Sequence, residues 1–70
     1  MARWYITKYD RQEKKVVCVL NLIGENKREA QALADRINNK ALSEFGLKRP
    51  FSYSITNNRN GLPFESDLSK

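Results

Sequence analysis

Histidine is absent from this chain, and cysteine occurs once, at Cys18. Without histidine, the commonest general base and the commonest metal ligand are both missing. Every triad or dyad built on histidine is excluded with them. A lone cysteine closes no intramolecular disulfide and builds no cysteine-rich zinc site. Small secreted domains usually rely on disulfides, so a reducing, cytoplasmic setting is expected. Apolar runs are short: the longest, Val16 to Leu20, falls far below a membrane span. The Met-Ala-Arg-Trp-Tyr start leads into no apolar segment, so no signal peptide is expected. The three glycines, Gly24, Gly46 and Gly61, stand apart and make no phosphate loop. The carboxylates Asp10, Glu13, Glu25, Glu29, Asp35, Glu44, Glu65 and Asp67 are scattered, without paired-acid or metal-ligand spacing. The expectation is a protein that is no enzyme and takes no metal, no cofactor and no membrane.

Positive charge is what the chain has in excess. Thirteen Lys and Arg stand against eight Asp and Glu, a formal net charge of +5. With 70 residues there is room for one domain. A chain of this size buries only about 60% of its unfolded surface, so its core is thin.

The residue pattern predicts an α+β domain in ββαβ order over residues 1–64, with residues 65–70 as a flexible tail. Ala2 to Tyr9 is rich in β-favouring types, with Trp4 and Ile6 on one face and Tyr5, Thr7 and Tyr9 on the other. Asp10 to Lys15 is wholly polar and reads as a hairpin loop of about four residues. Val16 to Ile23 is a second strand, apolar on both faces: Val16, Cys18, Leu20 and Leu22 against Val17, Val19 and Ile23. A strand with one wet face should alternate apolar and polar. This strand is therefore expected at the sheet centre, or against a partner. In the central position it would have the third strand parallel beside it; the other order, with the first strand central, would make the sheet fully antiparallel.

Asn26 is the expected N-cap of a helix from Lys27 to Phe45, with Glu29 three residues on. Ala30, Leu33, Ala34, Ile37, Ala41 and Phe45 recur at the helical period and form its expected core face. Asn38 and Asn39 are poor helix formers, so tertiary contacts must hold the helix centre. Gly46 suits the C-terminal cap, and Pro50 bars continuation. Phe51 to Thr56 alternates cleanly and predicts a third strand, with Phe51, Tyr53 and Ile55 inward. Asn60-Gly61 is a turn signal. Leu62-Pro63-Phe64 leaves open a short fourth strand at an edge.

Two sets of residues are candidates for binding. Lys8, Arg11, Lys14 and Lys15 surround the hairpin tip, while Lys27 and Arg28 open the helix. Basic groups at a helix start oppose the macrodipole, and free N–H groups there would help hold a phosphate. These six are the nucleic-acid set. Tyr5 and Tyr9 would stack on unpaired bases beside them if that face is open. The second set, Tyr5, Tyr9, Val17, Val19 and Ile23, would form an apolar interface on the sheet face that the helix leaves uncovered.

One stretch, Gly24 to Leu42 (GENKREAQALADRINNKAL), resembles the last helix of double-stranded-RNA-binding domains. In that family a Lys-Lys-x-Ala-Lys start follows a hairpin and touches phosphates. Lys27, Arg28 and Ala30 match in type, and Gln31 stands where the final lysine would be. The likeness spans 19 residues, lacks that family's first helix and hairpin histidine, and runs on into a strand. It implies Lys27 and Arg28 as phosphate contacts.

The leading expectation is a non-catalytic binding module that meets a protein partner or itself as a homodimer. Nucleic-acid binding is the alternative, and a small enzyme inhibitor is a third class. One contiguous basic face would favour nucleic acid, and interspersed signs would favour protein.

Overall fold

The computed structural model describes residues 3–68. Three strands, β1 (Trp4–Asp10), β2 (Lys15–Gly24) and β3 (Phe51–Thr56), form one antiparallel sheet. A long helix, α1 (Lys27–Phe45), lies between β2 and β3 in the chain, and a single turn, α2 (Glu65–Leu68), follows them. The protein is a small α+β domain in ββαβ order.

The strand order is β2-β1-β3, with β1 in the centre. This corrects the expectation that β2 is central. β2 and β3 do run in the same direction, but β1 lies between them and pairs antiparallel with each. The apolar character of β2 on both faces has another cause. On the helix side Leu20 joins Ile6 and Ala34 in the core, with Leu33, Ile37, Tyr53 and Ile55 around them. On the other side Val19 is fully buried. The returning chain bonds there: the Val19 N–H donates to the Pro63 carbonyl at 2.9 Å, and Phe64 bridges Val19 in parallel. The Leu62–Phe64 segment thus covers the edge as one bridge rather than as a fourth strand.

Two irregularities interrupt the β1–β2 ladder, and the one at Val17 resets the side chains. Val17 has no partner between the pairs Lys8–Cys18 and Tyr9–Val16, while Leu20, Asn21 and Leu22 lie unpaired between Thr7–Val19 and Tyr5–Ile23. An extra residue on one strand inverts the facing of what precedes it. Val16 therefore shares a face with Val19, not with Cys18 as simple alternation implied. Asn21 and Leu22 are pushed into solvent.

The hairpin loop spans four residues without glycine. Asp10 Oδ1 accepts the N–H groups of Gln12 and Glu13 at 2.9 and 3.1 Å, and Lys14 takes a positive φ of 58°. The local side-chain bonds of Asp10 offset the strain at Lys14. The Asn60-Gly61 turn has positive φ at both residues, 52° and 80°, which is the type I′ signature.

α1 begins as expected: Asn26 Oδ1 accepts the Glu29 N–H at 2.8 Å. It enters close over Gly24, where an added Cβ would lie 2.7 Å from both the N and Cβ of Ala30. Ala30 and Ala34 are the buried residues of the helix. Both lie in its first half, and towards its far end Leu42 and Phe45 are exposed. Phe45 was expected in the core and is 54% exposed instead. Residues 65–68, expected as tail, form a helical turn against β2.

Candidate functional site

The six basic candidates do not assemble into one surface. β2 leads from the hairpin to the start of α1, so the two basic groups lie at opposite ends of a strand about 30 Å long. Lys27 and Arg28 are at one end, and Lys8, Arg11, Lys14 and Lys15 at the other. Several already have local roles. Lys8 Nζ sits 4.2 Å from the centre of the Phe51 ring, and Lys27 Nζ lies 5.8 Å from that of Trp4. Lys15 pairs with Glu13 at 3.0 Å. Arg11 Nη1 donates to the carbonyls of Leu47 and Arg49 at 3.0 and 3.2 Å.

The sheet-face set is also divided. Tyr5 meets the Phe64 ring edge-on at 6.3 Å between centroids. Val19 is buried and so drops out of any open surface, a correction to its place in the interface set. Its neighbour Thr7 is buried as well. Tyr9 and Val17 are half-buried near the hairpin, and Ile23 is exposed at the opposite end of β2.

The structure brings forward a group that the sequence reading did not assemble, and of which it had assigned one member, Phe45, to the core. At the C-terminal end of α1 and the turn after it, Leu42 is 47%, Phe45 54% and Leu47 83% exposed. Leu42 and Phe45 are three residues apart and share a helix face. Leu47 follows on the 3₁₀ turn Gly46–Lys48. Gly46 makes the change of direction at φ 64°, and its N–H donates to the Leu42 carbonyl. The hairpin holds this turn from the other side. Besides the two bonds from the Arg11 side chain, the Arg11 N–H donates to the Pro50 carbonyl at 3.0 Å. Arg49 Nη1 donates to the Gly46 carbonyl at 3.4 Å. The three apolar side chains therefore project from a braced corner. Periodicity gave no signal for the exposure of Phe45, which falls on the same helix face as Ala34 and Ile37.

A cleft of about 440 Å³ opens at the hairpin end of the sheet, lined by Lys8, Asp10, Glu13, Cys18, Phe51 and Glu65, among others. Cys18 is fully buried at its base. Burial pushes its thiol up from the ordinary range, and the nearby Glu65 carboxylate adds to this, against a smaller opposing effect of Lys8. A neutral, enclosed thiol is a poor nucleophile. Among the described residues no three His, Cys, Asp or Glu side chains cluster so as to hold a metal ion. No helix among them is long and apolar enough to cross a membrane. No family model, curated protein or solved structure matches this chain.

Proposed function

We propose that this protein is a non-catalytic protein-binding module. The observation that carries the reading is the braced apolar corner of Leu42, Phe45 and Leu47. Three large apolar side chains exposed within six residues of chain are disfavoured unless something covers them. They sit on a helix end and a turn fixed by hydrogen bonds from Arg11 and Arg49. Binding sites on rigid elements lose little ordering entropy when occupied. This moves the interface from the sheet face, where Val19 is covered, to the hairpin end of the molecule. A free, buried cysteine suits a reducing compartment, and we place the protein in the cytoplasm on that ground.

Separation of the basic residues to two ends weighs against nucleic acid, since a phosphate backbone is held by a contiguous charged track. A photo-cross-linking amino acid at position 47, in cells producing the protein, tests the choice. Protein adducts are expected at position 47, absent when the probe is at Gln31 and reduced by Phe45→Ser. Nucleic-acid adducts, or equal labelling at both positions, would refute the reading.

A further inference from the structure

We infer that the partner of this corner is an acidic protein surface with an apolar pocket, and not a second copy of the chain. The inference rests on the protein-binding reading above and adds the chemistry of the partner. Lys48 and Arg49 directly follow Leu47 in sequence, and Arg11 reaches the Leu47 carbonyl from the hairpin. Lys14 is exposed in the same hairpin loop. Both hairpin carboxylates are held by local partners, and Glu65 lines the cleft beside Val17 and Cys18 of β2. Asp10 accepts from the loop amides, and Glu13 is paired with Lys15. Glu44, beside Phe45, is the acidic residue nearest in sequence to the apolar corner.

The carbonyls that Arg11 and Arg49 contact fix the guanidinium groups without neutralising them. Each guanidinium has five N–H donors, and Arg11 Nη1 and Arg49 Nη1 are the groups spent on the turn. The rest are suited to carboxylates of a partner. A two-fold self-contact would set this patch against itself, bringing Arg11, Lys14, Lys48 and Arg49 towards their own copies. Like charges at a contact disfavour it, whereas an acidic rim speeds encounter and fixes register. Phe45 and Leu47 then act as the anchors that fill an apolar pocket. An apolar group of three side chains has the dimensions of such an anchor. A helix lying on a membrane needs an apolar stripe along its whole length instead.

Panning a randomised twelve-residue peptide library against the whole protein tests this. Enriched peptides should combine Asp or Glu with Leu, Phe or Trp. Their affinity should fall at least tenfold on Phe45→Ser, and at least threefold on Lys48→Glu or when salt is raised to 0.5 M. Peptides that depend on Phe45 but carry no acidic bias would overturn the acidic partner and leave the protein-binding reading standing. Absence of any Phe45-dependent peptide would overturn both. Sedimentation showing a dimer that Phe45→Ser dissociates would overturn the exclusion of self-contact.

Discussion

The side-chain amide of Asn38 takes up both backbone groups of Tyr53. Its Nδ2 donates to the Tyr53 carbonyl at 2.9 Å, and its Oδ1 accepts the Tyr53 N–H at 2.9 Å. Tyr53 lies on β3, at the edge of the sheet. Asn38 thus does at one position what a fourth strand would do along the whole edge. The opposite edge, on β2, is engaged by the Pro63 carbonyl. Unpaired strand edges invite pairing with other chains, and these two contacts block each edge near its middle.

Replacement of Asn38 by alanine should therefore have two effects. It leaves a partly buried N–H and C=O without their partner, at a cost of about 1–3 kcal/mol. It also uncovers the edge of β3, so association at high concentration should rise. Asn38→Asp keeps the shape and the acceptor but loses the donor to the Tyr53 carbonyl, and should fall between wild type and alanine. Urea unfolding with light scattering checks both effects. An unchanged midpoint in Asn38→Ala would remove the bond from any account of stability.

Gly24 is required for space. The helix start comes so near that a Cβ at this position would meet the backbone and side chain of Ala30 at 2.7–2.8 Å. Backbone atoms cannot yield as a flexible side-chain tip does, so Gly24→Ala must displace the start of α1. A loss of about 1–3 kcal/mol is expected, as for other overpacked sites. Ala30→Gly added to Gly24→Ala relieves only the Cβ contact, so recovery should be partial. Thermal unfolding of the two single variants and the double variant measures this. Full recovery would mean that the Ala30 side chain alone sets the limit.

The elements themselves were legible because each carried a local rule. The helix from Lys27 to Phe45 followed from Asn26, the apolar period and Gly46, and β3 from the alternation of Phe51, Tyr53 and Ile55. Asn38 marked itself as a poor helix former whose place needed a tertiary reason, and Tyr53 supplies it. Strand order was not legible. It depends on how far α1 reaches and on where Leu62–Phe64 returns, which are non-local outcomes. The bulge at Val17 was hidden for a related reason, since an extra residue leaves no mark in a run of valines. Of the candidate site, the charges of Arg11 and Lys14 were visible. The exposure of Phe45 was not, because periodicity tells which face a residue shares but not what packs against it.

Alkaline pH should destabilise the fold. Burial raises the Cys18 thiol and the Tyr53 hydroxyl above their ordinary values of 9.0 and 10.0, and the Glu65 carboxylate adds to both. The unfolded chain then releases these protons at lower pH than the folded one. Stability from these groups is whole below about pH 9 and declines as pH rises from there towards their folded-state values. Cys18→Ala should flatten the first part of that decline. Cys18 should also react slowly with a thiol reagent at pH 8 in the folded state, and quickly in urea. Equal rates would show that the thiol is open to solvent.

Phe45 separates a binding residue from a core residue by measurement. If it packs in the core, Phe45→Ser should cost about 3 kcal/mol or more, as large-to-small core changes do. At 54% exposure, as the last residue of α1, it should cost less than about 1 kcal/mol. Leu47→Ser, at 83% exposure, should leave the unfolding midpoint unchanged within error. Both variants should be more soluble than wild type, since each removes apolar surface from water. The same two changes should abolish protein adducts formed by a photo-cross-linker at position 42. Stability kept with adducts lost fits a corner whose purpose is contact with a partner. Stability lost with adducts kept would return Phe45 to the core and remove the proposed site.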